Sequence, residues 1–334
     1  MDFMAEIDEN DMRAVGYDAP GDPLVLHEIR LARPEVLPSE VLVRVHASSI
    51  NPIDWRTRGG WRTPAAHAAA PGVQVLGWDV SGTVAEIGHG VHRFRVGDEV
   101  FGLPWFPRPA RANAEFVAAP SRQFARKPEN LSHAEAAALP LAGLTALHAL
   151  TVAATTRAGQ RVLVHAGAGG VGHLAIQIAH SLGAEVVATA RTSQHDWLRS
   201  LGATEVIDHH VHRFEEVLRP VDVVLDLVGG DVGPRSVAVL KAGGTLVRVA
   251  PGPDDVLLAA AAREGVTVTP GILVEPDGAG LDYLAALAET GRLTPRISRV
   301  YPISGLADAH AAAAEGHTVG KIAISLGPDD WQNE

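Results

Sequence analysis

The sequence predicts an α/β protein in two parts: a β-rich, turn-rich region over residues 12–130, followed by a doubly wound parallel sheet. Two observations carry this reading. Residues 161–193 run strand, glycine turn, helix and second strand without interruption. Beyond them β-prone and helical stretches alternate, as a parallel sheet requires.

The glycine unit organises the rest. Arg161–Ala166 is apolar and β-prone, as expected of a central strand buried on both faces. Gly167-Ala168-Gly169-Gly170-Val171-Gly172 then completes a G-x-G-x-x-G that opens a helix with apolar Val171, Leu174, Ala175, Ile178 and Leu182. Gly183 stands where a C-terminal glycine is wanted, and Glu185–Ala190 is the next strand. The three glycines serve a tight turn, close approach to a pyrophosphate and close helix–strand packing. The helix N-terminus adds free N–H groups and its positive dipole end, so Gly167, Gly169, Gly170 and Val171 are expected to hold dinucleotide phosphates. An NAD site usually carries an acid about twenty residues past the glycines. Here the strand end reads Ala190-Arg191-Thr192-Ser193, with no acid. A guanidinium flanked by two hydroxyls suits a 2′-phosphate, so NADPH is the expected cofactor.

Length and composition bound the alternatives. The chain of 334 residues has room for two domains, each with its own core. No apolar run approaches the roughly 20 residues of a membrane helix, and the acidic first dozen residues lack a signal-peptide core. A cytoplasmic protein with no membrane partner is expected. A net charge of −11 argues against nucleic acid as a partner. With no cysteine, disulfides and thiolate-ligated metals are excluded, and Lys127, Lys241 and Lys321 are the only lysines for Schiff-base chemistry.

In chain order, Glu40–Ala47 alternates with Val41, Val43 and Val45 on one side, predicting a strand with one buried face. Val80–Glu86 behaves similarly, and Arg93–Gly102 reads as strand–turn–strand about Gly97-Asp98. Two Trp- and Pro-rich loops, 51–71 and 103–109, fit either pocket walls or packing lids. Ser132-His133-Ala134-Glu135 forms a capping box, and Leu141–Ala154 a helix approaching the glycine unit. Further strands are expected at Glu205–Asp208, Asp222–Val228, Gly244–Ala250 and Gly265–Leu273, and a helix at Asp282–Thr290. The last strand, Lys321–Leu326, alternates like the first region and is expected to return to it. At the carboxyl edge of such a sheet, His209, Val228, Ala250 and Leu273 are further cofactor-contact candidates. The histidines of Asp208-His209-His210-Val211-His212 lack clean ligand spacing and read as solvated loop residues.

Several motifs together carry a resemblance. They are Ser48-Ser49-Ile50-Asn51-Pro52-Ile53-Asp54, Gly90–Val100, Leu141-Ala142-Gly143-Leu144-Thr145-Ala146, the glycine fingerprint and Gly320-Lys321-Ile322. On these the chain resembles the medium-chain dehydrogenase/reductase superfamily, in its zinc-independent quinone oxidoreductase branch. The resemblance implies a co-chaperonin-like, β-rich catalytic domain from residues 1–131 and 274–334, around a Rossmann NADP-binding domain of residues 132–273. It implies a cleft holding NADPH, and a homodimer or homotetramer joined along the sheet edge near 266–273. Asn51 and Asp54 would line the cleft near the nicotinamide, Thr145 would sit against the cofactor, and Trp55 and Trp61 would wall the substrate side. A buried hydrogen-bonded loop brace is the other reading of Asn51 and Asp54.

Zinc-dependent relatives hold their metal with cysteine and histidine. Asn51 and Trp78 stand at the corresponding places here, so no metal is expected. The Trp61 position carries tyrosine in many relatives, which leaves water as the proton source. The implied reaction is hydride transfer to a quinone or an α,β-unsaturated carbonyl. Alternatives are an enoyl reductase for an acyl thioester, with Arg56, Arg58 and Arg62 at a channel mouth, or a non-catalytic NADPH-binding sensor or scaffold.

Overall fold

The structure, a computed structural model, describes residues 11–61, 72–249 and 254–331. The first strands are β1 (Asp11–Tyr17), β2 (His27–Ala32), β3 (Glu40–Ser49), β4 (Gln74–Val75), β5 (Val80–Ile87), β6 (Glu99–Gly102), β7 (Phe116–Pro120) and β8 (Phe124–Arg126), with α1 (Pro52–Arg58) after β3. Helices α2 (His133–Ala137) and α3 (Pro140–His148) lead to β9 (Arg161–Val164), α4 (Gly172–Ser181), β10 (Glu185–Thr189), α5 (His195–Ser200) and β11 (Ala203–Ile207). Next come α6 (Phe214–Val217), β12 (Val221–Asp226), α7 (Val232–Val237), β13 (Leu240–Arg248), α8 (Asp254–Glu264) and β14 (Thr267–Val268). The chain closes with α9 (Gly278–Glu289), β15 (Ile297–Pro302), α10 (Leu306–Ala314) and β16 (Lys321–Ser325).

These elements form two units. The first holds the described residues up to Leu141, Glu275–Ala286 and those from Ile297 on; the second holds Ala142–Val274 and Leu287–Arg296. The division therefore falls ten residues later than the expected boundary at 131, because α2 is tied into the first unit. His133 reaches Ser81 (2.8 Å) and Glu99 (3.2 Å), and Leu141 N–H donates to Asp79 (2.8 Å). Leu287–Arg296, expected with the β-rich part, belongs to the second unit because Thr294 is stitched to Gln177 of α4.

In the first unit one sheet runs β15-β16-β3-β5-β6-β8, with β7 also on β3, and a smaller sheet runs β2-β1-β4. The returning strand β16 pairs antiparallel with β3, Ala323 opposite Ser49. Val41, Val43 and Val45 enter the main core as expected. The other face of β3 is also covered: Leu42 packs with Met12, Ala14, Val75, Ala114 and Phe116, leaving Arg44 as its exposed residue. The small sheet supplies that cover. The segment 93–98 is a strap instead of the expected strand. Gly97 turns at φ +93°, Gly97 N–H donates to Val84 and Val84 N–H to Asp98, each at 2.9 Å, and Phe94 anchors the loop in the core.

The second unit is a six-stranded sheet, β11-β10-β9-β12-β13-β14, parallel throughout. Its order is that of a Rossmann sheet, with the switch point beside β9. All four residues of β9 are buried, as a central strand flanked by helices demands. The expected sixth strand over 265–273 shrinks to Thr267–Val268 because Pro270 has no N–H to continue the ladder. Ser132 caps α2 as expected, its Oγ accepting from Glu135 N–H at 3.3 Å while Glu135 reaches back to Ser132 N–H at 2.9 Å.

Phe124 is fully buried in the main core of the first unit. Phe124→Ala is expected to lower stability by about 3–5 kcal/mol, the cost of a large buried ring plus the cavity it leaves. A shift in the urea midpoint reads this directly; an unchanged midpoint contradicts the packing described.

Candidate functional site

The glycine turn begins where β9 stops. Ala166 adopts φ +48° and Gly167 N–H donates to Thr189 at 2.9 Å, which ties the turn to the end of β10. A Cβ on Gly172 would lie 2.3 Å from the Ala166 carbonyl oxygen, and one on Gly167 would lie 2.9 Å from Ala188 Cβ. Only glycine lets the chain fold back this tightly. Gly169, Gly170 and Val171 are half-buried and face the start of α4, whose first-turn N–H groups have no intrahelical acceptor. Backbone donors plus the positive helix end make this turn an anion cradle, and it fits the phosphates of a dinucleotide.

The neighbouring strand ends complete the cradle. Ala190 is buried, with its N–H on Ile207 at 3.0 Å, and Arg191 beside it is exposed. Thr192 departs from expectation. Its hydroxyl and its N–H (2.6 Å) both donate to Asp208, at the end of β11. The hydroxyl is thus committed to a carboxylate of the adjacent strand. Those bonds, the Thr192 hydroxyl foremost, hold Asp208 below the usual carboxylate range. Asp208 is the residue that reading along the second strand misses: it comes from the adjacent parallel strand. His209 is exposed, its ring 4.4 Å from His210; burial, then His210, lowers its pKa.

Val228 and Leu273 are exposed past the ends of β12 and β14, and Val228 N–H donates to Asp226 at 3.0 Å. Thr145 is buried on α3. Ala250 and Arg62 lie outside the described residues.

In the first unit, Asn51 and Asp54 belong to one buried polar cluster. Asn51 Nδ2 donates to Asp79 (2.7 Å), and its Oδ1 accepts from Lys321 Nζ (2.6 Å), which also donates to the Ile50 carbonyl (2.8 Å). Lys321 Nζ lies 3.7 Å from Asp79, whose carboxylate also takes the Ser49 hydroxyl at 2.5 Å. Asp54 accepts from Asn51 N–H (2.7 Å) and Gly77 N–H (3.1 Å) and is fully buried. Burial, with neighbouring Asp79, pushes its pKa up to about 7 against the donated N–H bonds and Lys321. Burial lowers the Lys321 pKa.

The expectation that Asp54 lines a cleft is corrected: its oxygens are enclosed among protein donors. Asn51 is buried with both ends of its amide engaged, the geometry of a brace. Sequence reasoning misses Asp79, and names Lys321 as one of three lysines and in the Gly320-Lys321-Ile322 motif without giving it this place; each is a charged residue opening an apolar strand. Trp55 is half-buried with Arg56 over its ring (5.1 Å), and Trp61 is 52% exposed. Arg58 is no channel-mouth residue: it is buried and donates to the Gly21 carbonyl at 2.9 Å.

The donor set does not fit a catalytic zinc. The Trp78 indole N–H is taken by the Arg108 carbonyl (2.7 Å), the Asn51 oxygen by Lys321, and no described group of three His, Cys, Asp or Glu side chains is placed for a metal ion. A Rossmann sheet with an anion-binding glycine turn, in a chain that also holds a β-rich unit closed by the returning strand, defines the architecture of a nicotinamide-dependent oxidoreductase.

The comparisons agree. A zinc-binding dehydrogenase family model matches residues 201–324, and an alcohol dehydrogenase GroES-like domain model matches residues 37–129. The 2-methylene-furan-3-one reductase of Solanum lycopersicum is 36% identical over 327 residues, covering 94% of this chain and 79% of that protein. The chloroplastic NADPH-dependent alkenal/one oxidoreductase of Arabidopsis thaliana is 34% identical with the same coverages. The quinone oxidoreductase structure from Coxiella burnetii superposes with a TM-score of 0.86 at 38% identity, covering 95% of this chain and all of that one. The chain belongs to the medium-chain dehydrogenase/reductase superfamily, in its zinc-independent quinone oxidoreductase-like branch. Among the described residues no helix is long and apolar enough to cross a membrane.

Asp54 gives a pH signature. Its folded pKa of about 7 lies above its ordinary value of 3.8, so the folded chain holds a proton that the unfolded chain has released. Its contribution is full below the lower value and is lost as pH rises through the upper one. Relative to Asp54→Asn, wild-type stability should therefore fall between pH 4 and pH 7. Urea midpoints of both proteins across that range check this; parallel curves would contradict it.

Proposed function

We propose that the chain is an NADPH-dependent, zinc-independent reductase of quinones or α,β-unsaturated ketones. The observation that carries the reading is an intact dinucleotide turn in a chain whose other unit holds a buried centre with lysine among its polar groups and no metal donor set among the described residues. The relatives that reduce an alkenal or enone, and the quinone oxidoreductase structure, support it.

When bound, the nicotinamide supplies a hydride to an electron-poor carbon of the acceptor. The turn 167–171 holds the pyrophosphate, and Arg191, exposed at the end of β10, takes the 2′-phosphate. Asn51 and Asp54 position the loop that leads into α1, and Trp55 and Trp61 face the acceptor. Proton delivery to the product falls to water, because an indole N–H cannot serve as an acid.

The test is consumption of NADPH, followed at 340 nm and run beside NADH, over a panel of enones and quinones. Turnover of either class supports the reading. Saturable NADPH binding with no turnover on any acceptor would leave a sensor or scaffold in its place. Arg191→Glu should shift the NADPH-to-NADH ratio of kcat/KM towards NADH by about 10- to 100-fold, the ~1.5–3 kcal/mol of a charge-assisted hydrogen bond. An unchanged ratio removes Arg191 from cofactor selection.

A further inference from the structure

One buried histidine of the second unit is tied directly to the glycine turn. His173, in the first turn of α4, is fully buried. Its Nδ1 lies 2.8 Å from the Gly169 carbonyl oxygen, and its Nε2 lies 3.1 Å from Arg296 N. A carbonyl only accepts, so Nδ1 carries the proton; the Arg296 N–H only donates, so Nε2 is bare. One neutral tautomer satisfies both. The Gly169 carbonyl also receives the backbone N–H of His173 at 3.2 Å.

This bond acts on the anion cradle through the peptide plane. The Gly169 carbonyl and the Gly170 N–H belong to one planar trans unit and point in opposite directions. Pinning the carbonyl inward onto His173 therefore turns the Gly170 N–H outward. Without the imidazole, that carbonyl keeps only the longer bond from the His173 backbone N–H, and glycine carries no Cβ to oppose a rotation of the plane. The ring is itself held from the far side. Arg296 belongs to the segment Leu287–Arg296, its guanidinium lies 4.4 Å above the Trp197 ring, and Trp197 packs 5.9 Å from His173.

We propose that His173 is a positioning residue for the cofactor phosphates: it fixes the Gly169–Gly170 peptide so that the Gly170 N–H faces the pyrophosphate. The inference rests on the dinucleotide binding proposed above.

Two substitutions separate the bonds. Asparagine carries its amide nitrogen near the position of Nδ1 and can keep the Gly169 bond. Glutamine reaches the position of Nε2 and loses it. Gln177 provides the control. It ties the same segment to α4 through Thr294 (2.8 and 3.1 Å) and has no hydrogen bond to the turn among the described residues.

Dissociation constants for NADPH and NADH are measured by protein-fluorescence titration on the full chain, with circular dichroism confirming each fold. His173→Gln should bind NADPH about tenfold more weakly, equivalent to about 1.4 kcal/mol. KM for NADPH should rise with it, with kcat at saturating cofactor little changed. His173→Asn should recover most of that affinity. Gln177→Leu should lower Tm without weakening binding. His173→Gln binding as tightly as wild type, or Asn and Gln weakening binding equally, would overturn the inference while leaving the function standing. Wild type binding neither dinucleotide would overturn the proposed function and this inference with it.

Discussion

The nucleotide-binding half of the chain depends on the gap between the Ala166 carbonyl and Gly172, too narrow for a methyl group. It lets α4 start within a few residues of the end of β9, with its positive end on the carboxyl edge of the sheet. Because the six strands are parallel, their ends deliver loops to that same edge: Arg191 and Thr192 after β10, Asp208 and His209 after β11, Val228 after β12. The nucleotide site is thus a consequence of strand direction more than of any one side chain. Side chains enter as selectors on a surface that the backbone has already built.

The first unit solves a different problem, that of keeping charge in a dry interior. Lys321 is paired at 3.7 Å with Asp79, and each partner is further satisfied: the ammonium by Asn51 and the Ile50 carbonyl, the carboxylate by Ser49, Asn51 and Leu141. A second anion at Asp54 would have no second cation, and the pKa near 7 expresses that shortage. Removing one member of such a cluster strands the others, typically at a cost of about 3–5 kcal/mol.

Much of this was legible in the sequence because local patterns dictated it. The glycine spacing, the apolar run at Arg161, the Ser132–Glu135 capping box and the return of Lys321 to the first region each needed only a few neighbouring residues. What escaped depended on distance through space. Leu42 reads as the solvent side of an alternating strand until the small β2-β1-β4 sheet covers it. Residues 93–96 carry strand composition, but their backbone is taken up by a turn strapped to β5. Asp208 lies sixteen residues after Thr192, yet strand pairing makes them hydrogen-bond partners, which a search along one strand cannot find. Arg58 has the charge of a surface residue and is instead consumed by Gly21.

The corner proposed to meet the adenosine ribose shows how such distant pairs bear on function. Asp208 clamps the loop after β10 and, held below the usual carboxylate range, stays anionic at neutral pH. His209 beside it has its pKa lowered by partial desolvation and by His210. In the proposed site the positive potential for a 2′-phosphate then comes from the exposed Arg191 guanidinium. That proposal makes the preference for NADPH sensitive to ionic strength, because an exposed guanidinium is screened while the half-buried backbone cradle, common to both cofactors, is screened less. On the same proposal cofactor affinity is set mainly by the turn, and cofactor choice by one exposed side chain.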